Sequence, residues 1–137
     1  VHDAGVLPSP ALLALMRKHT FFDAALIISA SHNPYHDNGI KIIDAASGKL
    51  NLYDEQLISS LLAQEKDFHY TSLGCEKIMA DAQDQYQRII IDHFPADLMR
   101  GKKVVLDCAH GATSSIAPTI FPGVFIAHLV YTLDRYG

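Results

Sequence analysis

Residues Ile28 to Lys41, ISASHNPYHDNGIK, crowd two serines, two histidines, two asparagines and a proline between an apolar run and a lone lysine. If the apolar stretches 24–29 and 39–43 pair antiparallel around this loop, Ser31 falls near the level of Gly39. Lys41 is then about one diagonal step away, on the order of 7–8 Å between backbones, within reach of a long side chain. Period-2 alternation puts Lys41 on the face opposite Ile40 and Ile42. A point cation beside a serine hydroxyl suits a site that handles phosphoryl groups. Asn33-Pro34 and Asp37-Asn38-Gly39 are also ordinary turn formers, which account for a reversal but not for Ser31 and Lys41 together.

Other chemistries fail on spacing. His32 and His36 stand four apart, as two zinc ligands on a helix would, but Pro34 lies between them and disfavours a helix there. They read as solvated loop histidines. No G-x-S-x-G elbow and no G-x-x-x-x-G-K-[ST] loop occurs, and Gly111 alone reads as a tight-turn glycine. Cys75 and Cys108 stand outside any CxxC or Cys/His pattern and read as buried thiols rather than a disulfide.

The elements that position this loop follow from pattern. Ser9 caps a helix with Pro10 in its first turn and Arg17, Lys18 and His19 at its C-terminal end. Ala24 to Ile28 is a continuous apolar run, the mark of a strand buried on both faces. Ile40 to Ile43 is a second strand, and Asp44 to Lys49 turns around Ser47-Gly48. Two amphipathic helices follow. Tyr53 to Lys66 carries Leu57, Ile58, Leu61 and Leu62, and Asp81 to Phe94 carries Tyr86, Ile89, Ile90 and Phe94. A boundary is expected near Pro95 to Gly101. Beyond it come a strand over 103–108, a tight loop over 109–113, a helix from Ser114 to Phe121 and a strand from Val124 to Val130. Strands alternating with helices indicate α/β layers.

Composition bounds the rest. The 137 residues are 49% hydrophobic and 19% charged, which excludes disorder. A net charge of -4 leaves no electrostatic footprint for nucleic acid or an anionic membrane. No apolar run reaches the roughly 18–20 residues of a spanning helix, and no secretory signal opens the chain. The expectation is a cytoplasmic protein, and the chain, which begins without Met, reads as a piece of a longer one.

The loop resembles the active-site serine loop of the α-D-phosphohexomutases, roughly T/S-A/G-S-H-N-P followed by x-x-x-N-G-x-K, and most closely the bacterial phosphoglucosamine mutase branch. GVLPSPAL (Gly5 to Leu12), DAQDQYQRII (Asp81 to Ile90) and VVLDCAHGATSSIAPTIF (Val104 to Phe121) are similar to further segments of that family, with His110 where Asn is usual. After about residue 121 the likeness stops.

The resemblance implies an α/β fold: a three-layer mixed-sheet domain of phosphohexomutase type, incomplete, over residues 1–98. Residues 99–137 would begin a second similar domain, and an exposed sheet edge would make the chain prone to aggregate. It also implies that Ser31 carries a phosphate, gives it to a sugar monophosphate, and regains one from the resulting bisphosphate. For this branch the exchange is glucosamine 6-phosphate to glucosamine 1-phosphate. Lys41 would neutralise charge, while His32 and Asn33 would orient the phosphate or reach the substrate. The implied cofactor is Mg2+, held by Ser31 through its phosphate and by a D-x-D-x-D loop; no D-x-D occurs in these residues. The partner is a small-molecule sugar phosphate, with no nucleic acid, no membrane and no stated oligomeric state. Two alternatives stand: a phosphomannomutase or phosphoglucomutase, or a non-catalytic remnant. Without the aspartate loop the isolated chain is expected to be inactive.

Overall fold

The computed structural model describes residues 1–64, 69–95, 97–121 and, for their backbone, 125–126. Helices and short strands alternate, as the pattern predicts, in a mixed α/β fold. The chain divides into two units, one of Val1–Asp3 with Ser9–Ile78 and one of Ala4–Pro8 with residues from Met79 onward.

In the first unit β1 (His2–Asp3) leads to α1 (Ser9–Lys18), which begins at Ser9 itself, with Pro10 in its first turn. Arg17 and Lys18 occupy its last turn, where the helix dipole favours cations. Ala11, Leu15 and Met16 recur at helical spacing and form its buried stripe. Next, β2 (Ala24–Ser29) and β3 (Gly39–Asp44) form an antiparallel hairpin whose register runs from Ala24 opposite Asp44 to Ser29 opposite Gly39. The α1 helix packs against β2. α2 (Leu52–Leu62) is started by Asn51, whose Oδ1 accepts the Asp54 amide at 2.9 Å while its Nδ2 donates to Asp54 Oδ2 at 2.7 Å. This reciprocal cap satisfies an amide left orphaned by the helix start. β4 (Lys77–Ile78) pairs parallel with β1.

In the second unit α3 (Ala82–His93) lies where the apolar periodicity predicts it, with Ala82 and Gln87 buried. Val105–Leu106 forms β5, and Ala117–Ile120 forms α4, which packs with α3. Ser115 Oγ donates to Gln83 Oε1 at 3.0 Å and ties the α4 approach to α3. Phe125–Ile126 forms β6, parallel to β5. Leu7, Ile116 and Ala117 join Ala82 among the buried apolar residues of this unit.

Several expectations are corrected. β2 is not buried on both faces: its exposure alternates, and Leu26 and Ile28 remain 62% and 74% exposed, with Ile40 beside them on β3 at 68%. The other face, which carries Ala25 and Ile27, is half-buried, and α1 is the helix that packs against β2. The apolar stripe of α2 is only partly covered: Leu57, Leu61 and Leu62 are exposed, Ile58 is half-buried, and no residue of that helix is fully buried. Cys75 is exposed and Cys108 half-buried, and both are free thiols. The strand expected over 103–108 shortens to its two residues, and the helix expected from Ser114 starts only at Ala117, because residues 109–116 are turns. The helix tail to Lys66 and most of the strand 124–130 lie outside the described residues. Among the described residues no helix is long and apolar enough to cross a membrane.

Candidate active site

The hairpin ladder ends at Ser29 and Gly39, and the polar loop begins at once. Ala30 C=O accepts the Asn33 amide at 3.0 Å, which closes a four-residue turn with Ser31 and His32 at its centre. Ser31 has φ +59, whereas His32 keeps the ordinary sign. These are the φ signs of a type II′ turn, whose first central position belongs to glycine. A non-glycine residue held there costs on the order of 1–3 kcal/mol, and such strain collects at functional sites. Ser31 is exposed, so its hydroxyl stands open to an incoming group.

Ser29 completes the geometry. Its Oγ accepts the Ser31 amide at 3.0 Å, a local i to i+2 bond of the kind serine makes at turns. On the other side of the nucleophile candidate, Ser31 Oγ lies 3.4 Å from His32 Nδ1. With the ring proton on Nε2, that nitrogen accepts the hydroxyl proton, the relation of a serine to a base. Tyr35–Asp37 then makes a single 3₁₀ turn, tied by the Asp37 amide to Pro34 C=O at 2.9 Å. His36 Nε2 and Asp37 Oδ1 are 3.9 Å apart and both largely exposed, a contact of little energetic weight.

Ser31, His32 and Asn33 are thus brought together in one turn, and Lys41 is not part of it. The register opposes Ser29 to Gly39 and Ile27 to Lys41, a slip of two residues from the expectation that Ser31 stands level with Gly39. Lys41 therefore sits on the diagonal from Ser29, on the same face of the ladder, rather than on the diagonal from Ser31. Ser29 is a residue of this site that its type alone does not single out, and the Ser-x-Ser spacing before a turn is the signal for such a local bond.

A metal is poorly served here. Among the described residues no three His, Cys, Asp or Glu side chains come together as a ligand set. Ser31, through its hydroxyl or a phosphate on it, offers one oxygen, and magnesium requires six in near-octahedral array. These residues do not make a magnesium site by themselves.

A second strained turn lies elsewhere. Ala109 and His110 have φ +47 and +50, and the Gly111 amide closes the turn onto Cys108 C=O at 2.7 Å. Two successive positive φ angles mark type I′, and the Ala109 amide donates to Asp107 Oδ1 at 2.9 Å. A Cβ on Gly111 would meet Cys108 O at 3.2 Å, which explains glycine at that position.

Comparison with known proteins gives the family. The family described as "Phosphoglucomutase/phosphomannomutase, alpha/beta/alpha domain I" matches residues 1–69, a range that contains the whole turn and Lys41. The chain is 44% identical over 119 residues to a phosphoglucosamine mutase of Haemophilus ducreyi, covering 85% of this chain and 26% of that protein. It is 39% identical over 126 residues to one of Sulfurovum sp. and 40% identical over 127 residues to one of Campylobacter jejuni, each covering 88% of this chain and 28% of the relative. The chain therefore spans about a quarter of the length of these curated relatives.

Proposed function

The chain belongs to the phosphoglucomutase/phosphomannomutase family, and from that premise we propose that it supplies the phosphoserine loop of a hexosamine-phosphate mutase. One observation carries the reading: an exposed Ser31 on a positive-φ turn, its Oγ facing His32 Nδ1 at 3.4 Å, inside the matched stretch. Relatives named phosphoglucosamine mutase favour glucosamine 6-phosphate and glucosamine 1-phosphate as the exchanged pair. The family description also covers phosphoglucomutase and phosphomannomutase, which keeps glucose and mannose phosphates as the second reading. In the same proposal residues 1–98 form part of a three-layer first domain, residues 99–137 open a second, and the enzyme acts in the cytoplasm.

The steps balance without an outside reductant or base. Phosphorylated Ser31 gives its phosphoryl group to the free hydroxyl of the sugar monophosphate: the bond from phosphorus to Ser31 Oγ breaks and one to the sugar oxygen forms. The sugar hydroxyl proton passes to Ser31 Oγ, with His32 Nδ1 placed to take or return it. The bisphosphate then turns over, and Ser31 Oγ attacks its other phosphate, releasing the isomer and restoring phosphoserine. A phosphoserine brings about -1.5 to -2 charge at pH 7, which Lys41 on the adjoining strand offsets. Asn33 closes the turn through its backbone, leaving its amide side chain free to meet the phosphate or the sugar. A phosphate on Ser31 would offer magnesium one oxygen ligand, and the chemistry the ion would supply is neutralisation of charge on the phosphoryl group.

The test uses protein purified from its own cells, glucosamine 6-phosphate, magnesium and a trace of the 1,6-bisphosphate. Formation of the 1-phosphate that Ser31→Ala abolishes is the expected result. Faster conversion of glucose or mannose phosphates favours the second reading, and no conversion of any sugar phosphate overturns the assignment.

A further inference from the structure

The two serines of the loop, two residues apart, are chemically alike and structurally opposite. Ser31 is exposed on a turn at φ +59, while Ser29 closes the ladder opposite Gly39 and is half-buried. Among the described residues the single side chain that hydrogen-bonds the Ser31 backbone is Ser29, whose Oγ accepts the Ser31 amide at 3.0 Å. Without that bond the Ser31 N–H has no partner among the described residues, and a serine has little reason to hold a φ that favours glycine.

We propose that Ser29 is a positioning residue for Ser31. Its hydroxyl oxygen holds the Ser31 amide, fixes the positive φ, and so aims Ser31 Oγ at His32 Nδ1 and away from the ladder. The same bond makes Ser29 a poor acceptor of phosphate, because its oxygen is engaged and its side chain partly covered. Lys41, on the diagonal from Ser29, adds its charge at the base of this arrangement. The proposal rests on Ser31 being the phosphoryl carrier for its functional meaning, but not for its geometry.

Two readouts keep the two apart. The first is the one-bond Cα–Hα coupling of Ser31 in the isotope-labelled 137-residue chain, which separates positive from negative φ. Wild type and Ser29→Thr, which restores the hydroxyl, are expected to show positive φ, and Ser29→Ala to show averaging toward negative φ with the Ile27–Lys41 pairing intact. The second is phosphate uptake at Ser31 from a hexose 1,6-bisphosphate, for variants expressed in the native host. Ser29→Ala should slow uptake roughly three- to tenfold, the worth of one hydrogen bond, with the half-saturating bisphosphate concentration unchanged. Ser29→Thr should recover it. Positive φ and unchanged uptake in Ser29→Ala overturn the proposal. So does loss of the entire ladder in both variants, since Ser29 would then support the hairpin rather than Ser31. A wild type that takes up no phosphate counts against the proposed function, and the coupling still decides the role of Ser29.

Discussion

Ser31 holds a conformation that glycine would adopt freely, at φ +59, and this separates two substitutions that both remove its hydroxyl. Ser31→Gly should be more stable to urea than Ser31→Ala by about 1 kcal/mol, because alanine keeps the Cβ clash of a left-handed residue and glycine does not. Equal midpoints would show that the turn is unstrained. Lys41 leads to a second prediction. Since the register places it beside Ser29 rather than Ser31, its charge acts across the ladder and not by contact. Lys41→Ala should therefore slow phosphoryl transfer by less than the about 10²–10³ lost with a direct donor. Lys41→Arg should recover most of the rate, and a failure to do so would indicate a contact that needs an ammonium. The residue types of the site were legible in sequence because serine, histidine and lysine announce chemistry by identity. The role of Ser29 was not, because it depends on where the ladder stops, and turn residues such as Asn38-Gly39 allow more than one register.

At the scale of elements, the turn after β3 is built on Asp44. Its carboxylate accepts from the Ser47 hydroxyl at 2.7 Å, the Ser47 amide at 2.7 Å and the Ala46 amide at 3.0 Å. These bonds, the Ser47 hydroxyl foremost, hold the Asp44 carboxyl below the usual aspartate range. A group whose folded value is depressed stabilises the fold above its unfolded value and loses that contribution as pH falls through the folded one. The turn 44–48 should thus loosen on the acid side of the ordinary carboxylate range, seen as a lower protection factor at the Ser47 amide relative to its intrinsic exchange rate at each pH, and Asp44→Asn should remove that acid dependence. A Ser47 protection factor that ignores pH there would contradict it. The 108–111 turn invites the opposite intervention. Ala109→Gly should raise stability by about 0.5–1 kcal/mol, the relief of the left-handed clash less the entropy of glycine. A loss of stability would show that Ala109 makes packing contacts that outweigh its backbone. Periodicity foretold α1 and α3 nearly to the residue because a helix is a local structure. The 103–108 strand and 114–121 helix were overextended, because apolar pattern alone does not register that residues 109–116 close into successive turns.

For the molecule as a whole, the hairpin is apolar on both faces and covered on one. Leu26, Ile28 and Ile40 share the open face at 62%, 74% and 68% exposure. A contiguous apolar strip of this kind favours association. The 137-residue chain should self-associate with rising concentration, and Leu26→Thr with Ile28→Thr, which keep strand propensity, should reduce it in sedimentation. Unchanged sedimentation would mean that the strip is not the cause. The sequence read these residues as buried on both sides because a continuous apolar run records what a strand is suited to face, not what covers it here. The central claim, that Ser31 carries phosphate, is tested most directly by mapping phosphate on protein purified from its own cells under phosphatase inhibition. Cleavage after Lys18 and Lys41 yields one peptide, His19 to Lys41, that holds both Ser29 and Ser31. The account predicts phosphate on Ser31 with Ser29 unmodified. Phosphate on Ser29 alone, or a peptide without phosphate after exposure to the bisphosphate, would contradict it.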